Sequence, residues 1–554
     1  MNRKLSHHLL IAFIAGLAIT FSCVKEEYDF SKLKKSQSWT PELAMPLIHS
    51  NMNLADIIKD FDNTHLFEED GDNFLKLVYQ NTIYSKTAEQ LLQIPDQSFP
   101  AVSESVNIPG AIPATDSLSY SFSDTYPFSG ISADNPGETL VFDSMIVKEG
   151  TLTINLNTNL NYKTKLILEV PSMTKNGQTF RKVVYDKTDP TPVGGQKTYD
   201  LTGYKFSFDN SGPTTNAIDL NYEITVYGEG SPTYSPPYSM GITGGVSNIK
   251  FSKIFGNMGN LTFLLKKDTV FIDIFKNNLS TIKLELDSPR VKINVTNSYG
   301  IPIDINITNL ATHSDVNAPY NVDVYQQPYP VTLNIPAPTL SQMYSGQSAY
   351  VGFTYDKNNS NIKTAVNTSP QYMLLDAEGA SNSSLPTNFV FDTSRFQIDA
   401  ITELPLFGKA WDITLQDTIP FAFGTTIENV DNIIFYIQVE NGFPMEAFMQ
   451  VYFADADYKL IDSLILIPTE KVIPNAPVGN APEYRVIAPV KKVTLASMGR
   501  SRIVRVIDCQ YLLVKAAMAT NNNGESTVKI YSDYYIDVKI GVKADVSATI
   551  QIGE

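Results

Sequence analysis

From about residue 140 onward the sequence alternates. TLTINLNTNL (151–160), KTKLILEV (163–170), AIDLNYEITVYG (217–228), TIKLELDSPRVKINVTN (281–297) and IPIDINITNL (301–310) place an apolar side chain at nearly every second position. A period of two belongs to strands with one buried and one solvated face. Val, Ile, Thr, Tyr and Phe dominate, and turn residues interrupt every eight to twelve positions. That spacing favours antiparallel sandwiches over a parallel sheet with covering helices. A degenerate repeat lies within the pattern. TINLNTNLNYKTKLILEV, VKINVTNSYGIPIDINIT and FYIQVENGFPMEAFMQVYF each bring a strand to an asparagine (Asn159, Asn297, Asn441), then a turn, then another strand. Asn tolerates the left-handed backbone that such turns need. The asparagines lie 138 and 144 residues apart, one sandwich-sized unit per period. The second and third copies also share an aromatic (Tyr299, Phe443) and a proline (Pro302, Pro444). Against this stands the reading that any β-rich chain offers three such hairpins.

The N-terminus is of another kind. Arg3 and Lys4 precede an uncharged apolar run at residues 9–21, and FSC follows, ending at Cys23. Thirteen apolar residues are too few to span a bilayer, which takes about 20; the pattern is that of a removable secretory signal. A cysteine at the cut resembles the lipobox of bacterial lipoproteins, in the looser form of the Bacteroidota. Val24 with Lys25, Glu26 and Glu27 resembles the acidic surface-export signal of those proteins. The resemblance implies a mature chain acylated (palmitate-type chains) at Cys23, anchored to the outer membrane and carried to the cell surface. Each acyl CH₂ contributes roughly 0.8 kcal/mol of membrane affinity, so several chains hold firmly. Residues 23–38 then form a tether.

Without the signal's two cations the chain has 40 basic and 58 acidic residues, a net charge of −18. Such a surface argues against nucleic-acid partners and against adsorption to anionic lipid. With Cys23 acylated, Cys509 is the sole remaining thiol, so no intrachain disulfide is available; within VIDCQYLLV it reads as a small buried hydrophobe. His49, His65 and His313 fall in no motif, and HExxH, CxxC, GxSxG, Walker A and GxGxxG are all absent. The expectation is a protein with no catalytic residues, no metal site and no cofactor. An enzyme using two carboxylates remains the rival, since acids are plentiful and no pair stands out. Two acidic groups, Glu68, Glu69, Asp70 and Asp72, and Asp455, Asp457 and Asp462, are read as hairpin turns rather than Ca²⁺ sites.

Earlier in the chain, Asn53 reads as the cap of a short helix through Asp60. HLFEEDGDNFLKLVY reads as a hairpin whose positive φ angles fall at Asp70-Gly71. Thr87–Leu92 reads as a second short helix. Residues 95–137, rich in Pro, Ser, Gly and Asp, read as a long connection. Tyrosines gather in PTYSPPYSMG (Tyr234, Tyr238) and APYNVDVYQQPYP (Tyr320, Tyr325, Tyr329). They are candidate glycan contacts, or simply side chains that close sandwich ends. Five triplets starting at Asp116, Asp143, Asp268, Asp417 and Asp462 resemble a Bacteroidota O-glycosylation signal, which implies exposed Ser and Thr.

The second and third repeats resemble the strand–Asn–turn–Pro–strand motif of late-embryogenesis-abundant and water-stress domains. ELPLFGKAWDITLQDT with NGFPMEAFMQVYFADADYKLIDSL is similar to an uncharacterised Bacteroidota lipoprotein family. The expected fold is mainly β: tandem antiparallel β-sandwiches after a small mixed α/β N-terminal region. The expected borders are 1–22 for the signal peptide, 23–38 for the tether and 39–137 for the mixed region. The three sandwiches then occupy 138–260, 261–385 and 386–554. The expected role is a non-catalytic envelope protein that presents its sandwiches for binding or structural assembly. Its expected partners are the membrane through the lipid, and a glycan or another envelope protein. The alternatives are a glycan-binding accessory of a polysaccharide-uptake system and a fimbrial or adhesin-type subunit.

Overall fold

The computed structural model describes residues 36–39, 42–53, 67–108, 110–133, 140–160, 162–187, 195–230, 237–272, 283–315, 317–326, 331–382, 388–422, 430–546 and 548–551. Cys23, Lys25, Glu26, Glu27, His65, Tyr234 and Tyr329 lie outside them, as does the helix expected after Asn53. The fold is mainly β, in antiparallel sheets.

Two of its modules are the same sandwich built twice. In the first, which we call the lower, one sheet runs Glu42–Asn53, Tyr535–Val546, Val430–Asn441, Val490–Gly499; the other runs Ile413–Pro420, Tyr511–Thr520, Met445–Ala454, Leu460–Ser463. In the upper sandwich the corresponding orders are Leu75–Thr87, Arg395–Pro405, Arg290–Asn297, Ala349–Tyr355 and Thr262–Phe271, Tyr372–Ser381, Ile303–His313, Asn321–Asp323. Strand order and connections match element for element. A one-turn helix sits at the same point in each (Ile362–Val366 above, Arg500–Arg505 below). Phe435, Ile437, Val451, Phe453, Ile536 and Val538 fill the lower core; Ile293, Val295, Ile305, Phe396 and Ile398 fill the upper.

The repeated asparagines explain the match. Asn297 is fully buried, and its Nδ2 donates to the carbonyls of Ile301 (2.8 Å) and Pro336 (3.2 Å) while its Oδ1 accepts from Tyr299 N–H (2.9 Å). Asn441 repeats this with Met445 (2.9 Å), Pro474 (2.9 Å) and Phe443 N–H (2.9 Å). One amide thus satisfies three backbone groups at a sharp buried turn, where each would otherwise be orphaned. Asn159 does not share the arrangement. It is exposed and bonds across to Pro237 C=O and Ser239 N–H, 3.0 and 2.7 Å away. The duplication therefore has two members. The first copy's local sequence looks alike, but Asn159 is exposed and its amide bonds across to the Pro237–Ser239 segment rather than back into its own turn.

Each sandwich takes a strand from the N-terminal region: Glu42–Asn53 below, Leu75–Thr87 above. Residues 39–137 are accordingly not set apart as a mixed region; their strands are shared among all three modules. The expected hairpin is present between Phe67–Glu69 and Leu75–Thr87, but the positive φ falls at Asn73 (65°), not at Asp70-Gly71. Asp70 instead accepts the N–H groups of Asp72 and Phe74 on its carboxylate, which sets a longer turn. The helix expected at Thr87–Leu92 is Ala88–Leu91, with Thr87 and Gln90 forming a capping box.

The third module, the head, spans residues 97–257. Its eight main strands are Gln97–Val106, Ser117–Pro127, Val141–Thr158, Lys163–Lys175, Gln178–Lys187, Gly195–Asp200, Ala217–Tyr227 and Tyr238–Asn257. Numbered in that order they pair 1-8-3-6 and 2-7-4-5. This is the double Greek key of a jelly roll. Lys205–Ser207 bonds to strands 3 and 4 and closes one end. The first two strands lie in the stretch expected to be a long connection. In SLSYSFSDTYP the serines face out at alternate positions while Leu118, Tyr120, Phe122 and Tyr126 turn toward the core. Reading Ser as a turn residue hid that alternation.

The modules stack in line. The base of the upper sandwich meets the top of the lower, where Leu75 N–H donates to Ile530 C=O (3.1 Å) and Leu406 N–H to Leu75 C=O (2.9 Å). A three-stranded sheet of Lys283–Leu286, Phe407–Trp411 and Val528–Lys529 seals this joint. At the opposite end of the upper sandwich, Asn388–Phe391 pairs with head strand 8. Ser36–Trp39 pairs with Ala548–Gln551 below the lower sandwich. The chain thus ascends along both sandwiches, forms the head, and descends through both again. The two ascending strands have 12 and 13 residues, which end to end span roughly 80 Å at about 3.3 Å rise per residue.

Candidate binding face of the head

The two outer faces of the head differ in kind. On the 2-7-4-5 sheet many of the polar and charged side chains satisfy one another. Ser123 Oγ donates to Asn221 Oδ1 (2.8 Å), Thr125 Oγ1 to Asp219 Oδ1 (2.6 Å), and Arg181 Nη2 to Glu223 Oε2 (2.7 Å). Arg181 also lies 3.6 Å from Glu169. Beneath this sheet, burial and then the hydrogen bond and charge of Asp124 push the Tyr126 phenol up to about 12; burial likewise raises Tyr222. These phenols stay protonated and act as packing groups.

On the 1-8-3-6 sheet the outward positions are Ser103 and Ser105, then Ser239, Gly241 and Thr243, then Thr151, Thr153, Asn155 and Asn157, then Gln196 and Thr198. Asn155 stands beside Thr243 and Gln196, and Asn157 beside Gly241, which in turn faces Ser103. All these side chains are uncharged. Asn155, Asn157, Thr243 and Gln196 are exposed, and their side chains make no hydrogen bond among the described residues. Among the outward positions given by the register, charge returns at the margins, with Asp200 at one end and the Glu149–Lys250 pair (2.8 Å) beyond it. The sequence carried a signal for this face, since the outward positions of TLTINLNTN are free of charge, but only the pairings place it beside strands 1, 6 and 8.

The predicted tyrosines do not assemble into a platform. Tyr238 is buried in the head, 5% exposed, its ring 5.9 Å from that of Tyr162. Burial there overturns its reading as a glycan contact: it is the first residue of a strand that turns it toward the core. Tyr320 and Tyr325 are 56% and 67% exposed near one end of the upper sandwich, where Tyr325 N–H donates to Asn361 Oδ1 (2.6 Å). Among the described residues, no group of three or more His, Cys, Asp or Glu is placed to hold a metal ion. Glu68 pairs with Lys76 (2.7 Å), Asp455 accepts the N–H groups of Asp457 and Lys459 across its own turn, and Asp462 lies against Arg502 (3.1 Å) and Arg505 (3.6 Å). His49 binds Asp537 (2.5 Å); His313 bonds Asn321 and Asp315 and stacks on Tyr372. Cys509 is buried, which pushes its thiol up to about 12 and leaves it protonated. Of the triplet hydroxyls, Ser117 and Thr418 are exposed but Ser144 is 8% exposed, too buried to carry a sugar.

No helix among the described residues is long and apolar enough to cross a membrane. No family model matches the chain, and no curated protein does. Among solved structures, a protein of Parabacteroides distasonis described as secreted is 12% identical, over 53% of this chain and 82% of that one, with a TM-score of 0.27. The M60 catalytic domain with two CBM51 domains from Clostridium perfringens ZmpB is 10% identical, over 92% of this chain and 46% of that one, with a TM-score of 0.11. At these scores neither likeness extends to the arrangement of the modules.

Proposed function

We propose that this is a non-catalytic, lipid-anchored protein of the outer membrane. Its two stacked sandwiches form a stalk, and its jelly roll is a head held away from the membrane for binding. One observation carries this reading. The segment that follows Cys23 enters the fold at the base, where Ser36–Trp39 pairs with Ala548–Gln551, and the head is inserted at the opposite pole. A lipid at Cys23 would tether the base and leave the head outermost. The unusual path, up through both sandwiches and down again, ties every module into that axis by main-chain hydrogen bonds. Metabolic labelling with a palmitate analogue tests the anchor: wild type takes up label and Cys23→Ala does not. Label retained in Cys23→Ala removes the anchor. Protease shaving of intact cells tests the orientation; protection until the outer membrane is permeabilised would turn the head toward the periplasm.

A further inference from the structure

We propose that the outer face of the head's 1-8-3-6 sheet binds a neutral polysaccharide chain laid across its strands. The proposal rests on reading the head as the binding module and is independent of the lipid anchor. Its first ground is the contrast between two faces of one jelly roll. The 2-7-4-5 face is charged and spends many of its polar groups on each other, whereas the side chains of Asn155, Asn157, Gln196 and Thr243 are uncharged, exposed and bonded to nothing among the described residues. The second ground is local propensity. Asn and Gly are disfavoured in strands, yet strand 3 presents two asparagines in successive outward positions and strand 8 a glycine beside them. Packing does not ask for Gly241: a Cβ there would meet only Asn157 C=O, at an ordinary 3.6 Å, and its φ is not in the left-handed region. The glycine leaves an open floor between Asn157 and Ser103.

The chemistry selects the ligand class. Each primary amide offers a donor pair and an acceptor a short distance apart, which matches neighbouring hydroxyls of a sugar that themselves both donate and accept. Asn155 and Asn157 are about 6.6 Å apart along the strand, and the four strands span roughly 15 Å. This is a flat field rather than an enclosed cavity, so it suits an extended polymer better than a small molecule. An uncharged field on a chain of net charge −16 gives an anionic polymer nothing to pair with. Aromatic, Met and Arg side chains, which concentrate in protein–protein contacts, are absent from the outward positions named above.

The test is affinity electrophoresis of the detergent-solubilised full-length protein in native gels cast with a β-glucan, an α-mannan or a galactomannan, with alginate as the anionic control. At least one neutral polymer should retard the protein and alginate should not. Asn155→Ala with Asn157→Ala should weaken retardation about tenfold or more, as expected for two or more lost hydrogen bonds. Gly241→Thr should weaken it by filling the floor. Ser123→Ala with Thr125→Ala, on the opposite face, should leave it unchanged. Circular dichroism melts should show all three folded, since the Asn, Ser and Thr side chains are exposed and a Cβ at Gly241 meets only Asn157 C=O at 3.6 Å. Failure of every neutral polymer to retard the protein overturns the proposal, as does wild-type binding by the Asn155/Asn157 variant. Membrane fractionation of the same cells reports the anchor separately, so loss of one reading is not mistaken for loss of the other.

Discussion

The lower and upper sandwiches share strand order, capping helix and the buried asparagine turn, yet equivalent positions on their outer sheet faces carry different chemistry. Above, Arg290 and Lys292 converge on Glu403, 3.1 and 2.5 Å away. Below, with Asn297 and Asn441 as the common register points, those positions are Ile434 and Tyr436. Across the neighbouring strand, Gly352 and Thr354 above become Val493 and Leu495 below, 60% and 58% exposed. The same topology tolerates a charged cluster or an apolar patch at equivalent positions, with the lower face keeping its ion pairs nearby at Glu440–Lys491 and Asp537–Lys539, but it keeps the amide that satisfies three buried backbone groups. Outward positions are free because water serves them equally well; the turn is not, because nothing else can reach it.

The largest effect should come from that turn. Asn441→Ala and Asn297→Ala each leave two carbonyls and an N–H unpaired, and should destabilise by about 3–5 kcal/mol in urea denaturation. Asn159→Ala, at the exposed look-alike, should lose under ~1 kcal/mol. Equal losses at all three would restore a threefold repeat.

The capping helices should separate next. Below, Arg502 grips Asp462 through Nε and Nη2, both 3.1 Å, with both side chains largely buried. Above, Lys363 and Lys357 reach Asp287 from partly exposed positions. Arg502→Met should cost about 2–4 kcal/mol by stranding a buried carboxylate, and Lys363→Met under ~1 kcal/mol. Burial pushes the Asp462 carboxyl up, but the hydrogen bonds from Arg502 and Ser463 N–H, with the charges of Arg502 and Arg505, hold it below the usual carboxylate range. Its contribution is therefore present above about pH 4 and is lost as pH falls through the depressed value. Asp462→Asn should flatten that acid limb; an unchanged pH profile would sink the assignment.

The smallest effect concerns the borrowed strands. Tyr299 donates its hydroxyl to Lys86 C=O at 2.6 Å, fastening the upper strand, whereas Phe443 has no hydroxyl to give. Tyr299→Phe should cost about 1–2 kcal/mol, while Phe443→Tyr should bring no gain. Stabilisation by Phe443→Tyr would mean the lower turn holds an unmet acceptor.

Much was legible locally. The strands at 151–160, 163–170, 217–227, 290–297 and 303–313 follow from period two, the kinship of Asn297 and Asn441 follows from their shared aromatic and proline, and the short helix expected at Thr87–Leu92 is present as Ala88–Leu91. The failures share a cause. Ser-rich 117–127 looked like a connection because serine suits both turns and the wet face of a strand. Asn159 looked like a third copy because seven residues of sequence do not report burial. Tyr238 looked like a ligand contact because its neighbours Pro236 and Pro237 suggested a surface loop.

By itself the sequence determined which residues alternate, where the chain turns, and the net acidity that disfavours nucleic acid. Those properties depend on neighbours a few positions apart. Tertiary structure decided that Glu42–Asn53 closes a sandwich nearly 500 residues away, that residues 97–257 wind into a jelly roll at the far pole, and that Asn155, Asn157, Thr243 and Gln196 share one face. Period two states that a strand has a dry side. It does not state which strand will lie against its edge, because every strand edge offers the same N–H and C=O groups, and the choice among partners is made by packing between residues far apart in the chain.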